Sequence, residues 1–89
     1  MNIENKTKEI FANLFRLDLQ TIHDKLGPDD VLEWDSMQHL NLTLALEEEF
    51  NISLTPEDAM QMLNFGLVVL MVKEKLGPGA VEEQKGIGA

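Results

Sequence analysis

The apolar residues of the chain recur at helical spacing in four segments, and no segment alternates convincingly as a strand would. The second segment runs from Ser36 to Phe50, a short third one begins at Pro56, and the fourth follows Asn64. The first covers residues 3–17, and its apolar face consists of Ile3, Ile10, Phe11, Leu14 and Phe15. The pattern predicts an all-α fold, a four-helix bundle with a long first loop and a short third helix.

Residues typical of helix ends support these boundaries. Asp35 is a good N-cap for the second helix, and Gln38 three residues later is placed to complete a capping box. Thr55 and Asn64 are placed to cap the third and fourth helices, and Gly77 is placed to end the last one. The long first loop is expected to be attached to the core by some of Leu19, Ile22, Leu26, Val31 and Leu32.

The second helix carries two apolar stripes rather than one. The inner stripe is predicted to face the core and consists of Leu42, Leu46 and Phe50. The outer stripe lies roughly opposite and consists of Met37, Leu40 and Leu44. Two interpretations are open for the outer stripe: the long loop folds over it, or it is a docking surface for basic partners, because the acids Glu47 and Glu48 flank it.

Composition and charge narrow the class of protein. The chain has 89 residues, 44% of them hydrophobic and 26% charged, which predicts one small folded domain. We place this helical domain at residues 1–77 and expect residues 78–89 to form a flexible tail. The net charge of −9 disfavours nucleic acid as a partner. The chain has no cysteine and no apolar run that could span a bilayer, and its first residues do not show the pattern of a secretory leader, so we expect a cytoplasmic protein without membrane insertion or a metal site. We also expect a monomer.

Ser36 is the candidate for chemistry. It begins the second helix, where unpaired amides and the helix dipole favour a phosphate, although serine is also common there for structural reasons alone. His39 follows within one helical turn, which raises the possibility of a small hydrolase with a Ser-His pair. No third group that would orient the histidine is evident in the sequence.

These residues resemble those of the acyl carrier protein family. The family's signature is an Asp-Ser-Leu at the start of the second helix, which then ends in Glu-Glu-Glu-Phe. Asp35, Ser36 and Met37 match the first part, and residues 45–50 match the second. The resemblance extends over residues 3–76 in the order of the predicted elements.

The resemblance implies a carrier and not an enzyme. Ser36 would be the attachment site of 4′-phosphopantetheine, whose thiol holds an acyl group as a thioester for partner enzymes of a fatty-acid, lipid, polyketide or other specialised pathway. A phosphopantetheinyl transferase would install this arm from coenzyme A with magnesium, and Asp35 would be part of what the transferase recognises. The lack of cysteine agrees with this role, because the reactive thiol would come with the arm.

The resemblance also assigns roles to the two stripes. Met37, Leu40, Leu44, Glu47 and Glu48 occupy the positions at which carriers meet acyl-transferring or acyl-modifying enzymes with basic docking surfaces. A second set matches positions that line the acyl pocket of such domains or its mouth: His39, Leu42, Leu46, Phe50, Ala59, Met62 and Val68.

Three positions depart from the family's usual pattern, and one of them is Met37, which replaces the usual leucine. Trp34 stands where the central fatty-acid carriers usually have glycine, and Asn41 stands where an acidic residue is usual. We therefore expect a specialised carrier with a dedicated pathway. The alternative is a small helical protein-protein interaction module without a prosthetic group, for which the outer stripe and the negative charge would suffice.

Overall fold

The computed structural model describes residues 2–77, which form four α-helices and contain no strand. The helices are α1 (Ile3–Phe15), α2 (Ser36–Phe50), α3 (Pro56–Gln61) and α4 (Phe65–Leu76), with a short 3-10 turn over Leu19–Thr21 in the first loop. The predicted all-α, four-helix fold is confirmed. The predicted tail, residues 78–89, lies outside the described residues. None of the helices between residues 2 and 77 combines the length and apolar character needed to cross a bilayer.

The first helix ends two residues earlier than its apolar pattern suggested. Arg16 adopts the left-handed conformation with φ 58°, and its backbone N–H bonds to the carbonyl of Ala12. This local turn ends the helix at Phe15, and the amide of Leu17 also donates to the Ala12 carbonyl at 3.0 Å. The prediction that the helix reaches Leu17 was therefore wrong, because the spacing of apolar residues does not show where the backbone leaves the helix.

Four aromatic side chains form the centre of the core. Phe11 is fully buried and meets the rings of Phe15, Trp34 and Phe65 edge to face, with centroids 5.4, 5.3 and 5.0 Å away. Trp34 also stacks on Phe15 at 5.2 Å. Since Trp34 belongs to the first loop and Phe65 to α4, Phe11 joins α1 to two other parts of the chain.

The long first loop is attached to α4 as well as to the core. Ile22, Leu26 and Val31 are buried as expected, whereas Leu19 and Leu32 are exposed. The backbone amides of Phe65 and Gly66 donate to the carbonyls of Leu26 and Asp24, each at 2.8 Å. Gly66 permits this approach, because a Cβ there would lie 3.0 Å from the Asp24 carbonyl oxygen.

The short helix α3 depends on its ends for stability, because a helix of six residues is marginal alone. Thr55 and Asp58 form a complete capping box, so the predicted cap is confirmed. The Asp58 carboxylate also accepts from the Lys75 ammonium of α4 at 2.8 Å. This contact with Lys75, together with the amide of Thr55, holds the pKa of the Asp58 carboxyl below its usual value.

The lowered pKa of Asp58 predicts how stability changes in acid. A carboxyl with a lowered native pKa stabilises the fold fully above its unfolded pKa, and this contribution is lost as pH falls through the native value. We expect Asp58→Asn to lower the urea midpoint of unfolding at neutral pH. The difference from the wild type should shrink as the pH falls below the unfolded pKa of an aspartate, about 3.9, and through the lower native pKa. A difference that stays constant across this range would show that the charge of Asp58 contributes nothing.

Candidate functional site at the start of the second helix

Ser36 is the first residue of α2 and is exposed. Its position is fixed by Asp35, whose carboxylate accepts from the Gln38 amide at 2.9 Å and whose carbonyl accepts from the His39 amide at 2.8 Å. Among residues 2–77 no partner forms a hydrogen bond with the Ser36 hydroxyl. The Ser36 hydroxyl thus has no hydrogen-bond partner among residues 2–77 and lies in the first turn of a capped helix, close to amides that favour a phosphate.

The predicted capping box of α2 is only half formed. The Gln38 side chain turns away from the cap, donating from Nε2 to the Leu14 carbonyl at 3.2 Å and accepting from Asn41 at 2.7 Å. The expectation that Gln38 reaches back to the amide of Asp35 was therefore wrong. The reason is that the last turn of α1 has a carbonyl without a helical partner, that of Leu14, and the side-chain amide of Gln38 donates to it.

Trp34 and His39 form a hydrogen-bonded pair beside Ser36. The indole Nε1 of Trp34 lies 2.9 Å from His39 Nδ1, and His39 Nε2 lies 2.7 Å from the carbonyl oxygen of Ala59 in α3. An indole nitrogen can only donate, so Nδ1 must accept and Nε2 must carry the proton that is donated to Ala59. The imidazole is thereby neutral and connects the first loop, α2 and α3.

This bonding argues against a Ser-His hydrolase. The lone pair of Nδ1 is engaged by Trp34, and Nε2 carries a proton directed at Ala59. Neither ring nitrogen is left to accept a proton from Ser36, as a general base must.

Two open grooves flank the pair and meet at Ser36, His39 and Ala59. The loop groove, of about 540 Å³, is lined by Pro28, Trp34, Asp35, Ser36, His39, Ala59, Met60, Met62 and Leu63. The helix groove, of about 400 Å³, runs between α2 and α3 and is lined by Ser36, His39, Leu40, Thr43, Leu44, Glu47, Leu54, Thr55, Pro56 and Ala59.

The residues predicted for an acyl pocket fall into two groups. His39, Ala59 and Met62 line the loop groove. The others lie in the core and line neither groove: Leu42, Leu46, Phe50 and Val68.

The outer stripe lies open on the surface rather than under the long loop. Met37, Leu40 and Leu44 are 67, 55 and 54% exposed. Glu48 is exposed beside them, whereas Glu47 is half-buried and accepts from the Leu54 amide at 2.8 Å. Glu47 thus has one oxygen engaged within the domain, and Glu48 is the freer of the two acids.

Sequence reasoning did not find the pairing of Trp34 with His39. The signal that could have indicated it is the spacing, because the two residues stand on either side of the N-cap Asp35, where the chain reverses its direction. A side chain just before a cap can contact the first turn after it, as in a hydrophobic staple.

The chain is similar to several acyl carrier proteins, although no family model matches it. The acyl carrier protein of Buchnera aphidicola subsp. Baizongia pistaciae is 34% identical over 73 residues, which cover 82% of this chain and 94% of the relative. That of Buchnera aphidicola subsp. Schizaphis graminum is 33% identical over 61 residues, 68% of this chain and 77% of the relative. That of Chlamydia caviae is 27% identical over 77 residues, 86% of this chain and the relative's whole length. The chain has four helices and a serine at the start of a capped second helix, and these relatives show that it belongs to the acyl carrier protein family.

Proposed function

We propose that this protein carries acyl groups, or related ones, as thioesters on a 4′-phosphopantetheine arm attached to Ser36. The observation that carries the proposal is the position of Ser36: an exposed hydroxyl in the first turn of α2, without a hydrogen bond to residues 2–77, in a chain of a carrier family. When bound, the arm supplies the thiol on which an acyl group is held.

The surroundings of Ser36 fit such an arm. The Asp35 carboxylate engages the amide of Gln38 and not those of Ser36 and Met37, which lie at the positive end of the helix dipole, where a phosphate on Ser36 is favoured. The loop groove beside the serine is lined on its apolar side by Pro28, Met60 and Leu63, which suit the carbon chain of an arm or its cargo. These residues would position the arm and shelter its cargo, whereas the partner enzymes would carry out the chemistry.

The outer stripe supports a role in docking. Three exposed apolar side chains lie on the same helix as Ser36, with Glu48 exposed beside them. In a chain of net charge −9 this surface suits partners with basic patches around an apolar centre. We infer that a phosphopantetheinyl transferase and acyl-transferring enzymes bind here.

A thiol count tests the proposal, because the chain contains no cysteine of its own. The purified protein should react with no equivalent of a thiol reagent. After incubation with coenzyme A, magnesium and a broad-specificity transferase, followed by removal of free coenzyme A, it should react with one. A count that stays at zero, with the transferase active on another carrier and the starting protein shown by mass to be unmodified, would leave a helical interaction module without a prosthetic group.

A further inference from the structure

We propose that Trp34, His39 and the carbonyl of Ala59 form a latch that closes the passage between α2 and α3, so that cargo reaches the core only when the latch opens. This inference deepens the proposed function and rests on it. It makes Trp34 and His39 the residues that decide which acyl groups stay in the surface groove.

The latch joins three parts of the chain through one imidazole ring. Trp34 is buried against Phe11 and Phe15, so its indole N–H is directed by the core. It donates to His39 Nδ1 at 2.9 Å, and His39 Nε2 donates to Ala59 at 2.7 Å. The bond from Trp34 fixes the tautomer of His39 in which Nε2 carries the proton, and the bond to Ala59 requires that tautomer. Loss of the indole donor therefore removes the preference for the tautomer that donates to α3.

The latch lies between the attachment site and the interior. His39 is one helical turn after Ser36, and both grooves that start at Ser36 share His39 and Ala59 as walls. Leu42, Leu46 and Val68 are fully buried and line neither groove. Because the bond from His39 to Ala59 joins α2 to α3, the proposal has a carbon chain that enters between these helices separate the two residues.

The element that must move is the least firmly held one. α3 has six residues, none of them buried, and is held through Asp58 to Lys75 and through Ala59 to His39. Ala59 lies in the last turn of α3, and its carbonyl accepts from the amide of Met62 at 3.2 Å as well as from His39. Breaking the bond to His39 would let the end of α3 that borders the loop groove move away, while the capping box at Thr55 stays intact.

Cargo length decides whether opening is favourable. A two-carbon group gains little by leaving the groove, so the latch stays closed around it. An eight-carbon group gains burial with every methylene that passes the latch, and this gain opposes the two hydrogen bonds. Weakening the latch should therefore increase the protection of the eight-carbon thioester from reagents in solution and leave that of the two-carbon thioester unchanged.

The test compares the wild type with Trp34→Phe, His39→Leu and the control His23→Leu, which replaces an exposed loop histidine. A transferase loads each with acetyl- or octanoyl-phosphopantetheine from the coenzyme A thioester, intact mass confirms loading, and cleavage of the thioester by hydroxylamine is timed. We expect octanoyl on Trp34→Phe and His39→Leu to be cleaved about three- to tenfold more slowly than on the wild type, the change that one neutral hydrogen bond corresponds to. Acetyl should be cleaved at equal rates on all four proteins.

A second readout follows the latch itself. Trp34 is the only tryptophan, so the indole N–H gives one NMR signal in the wild type. Acetyl loading should leave this signal in place, and any protection of octanoyl in the wild type should be accompanied by its shift.

Trp34→Phe keeps an aromatic ring in the core, so it remains informative if His39→Leu unfolds. Equal octanoyl cleavage in the wild type and Trp34→Phe, or a protected octanoyl group with an unshifted indole signal, would overturn the latch. Failure of any protein to gain mass would instead count against the arm on Ser36.

Discussion

Ser36→Ala is expected to accept no phosphopantetheine, whereas Ser53→Ala should load at the wild-type rate. Ser53 is the only other serine of the chain and is also exposed, so it controls for the loss of a surface hydroxyl. It lies in the loop between α2 and α3, two residues before the N-cap Thr55, and not within the first turn of a helix. Only Ser36 combines a hydroxyl with the positive end of a long helix.

The loss of loading should occur without unfolding. Ser36 is exposed and its hydroxyl has no hydrogen-bond partner in residues 2–77, so the alanine variant should unfold within about 0.5 kcal/mol of the wild type. The loaded fraction can be followed by chromatography over time, and circular dichroism checks the fold. Loading of a folded Ser36→Ala protein would show that the arm is attached elsewhere.

Phe11→Ala should have the largest effect on stability. Phe11 is fully buried and contacts three aromatic rings from α1, the first loop and α4. Truncating such a phenylalanine costs about 3–5 kcal/mol. Small domains have a free energy of unfolding of only about 5–15 kcal/mol, so the variant should lose a large part of its stability. At roughly 4–8 °C per kcal/mol, its melting temperature should fall by more than about 12 °C.

Phe11→Leu is the matched control for this variant. Leucine keeps most of the apolar volume but not the edge-to-face contacts, so its cost should be clearly smaller, on the order of 1–2 kcal/mol. Urea unfolding followed by circular dichroism gives both values. If Phe11→Ala and Phe11→Leu unfolded at the same urea concentration as the wild type, the aromatic cluster would not be the centre of the core.

The helices could be predicted because local signals determine them. Thr55 and Asn64 cap α3 and α4 as their residue types indicate, and the spacing of Phe11 and Phe15 indicates the buried face of α1. The end of α1 could not be predicted in the same way. It depends on the left-handed backbone conformation of Arg16, which the residue type does not indicate because arginine rarely adopts it.

The site was only partly predictable, because tertiary contacts decide its details. The spacing of Met37, Leu40 and Leu44 indicated an outer stripe, but only the path of the first loop shows that it stays uncovered. The role of His39 depends on a buried tryptophan from one element and a carbonyl from another. No periodicity encodes such a contact.

Locating the added mass tests the central claim most directly. The wild type, incubated with coenzyme A, magnesium and a phosphopantetheinyl transferase, is digested, and its peptides are fragmented in a mass spectrometer. We predict one phosphopantetheine per chain, attached to Ser36, with Ser53 and every threonine unmodified. No added mass, with a transferase proven active on another carrier and a starting protein shown to be unmodified, or an arm on any other residue, would contradict the assignment of Ser36 as the carrier site.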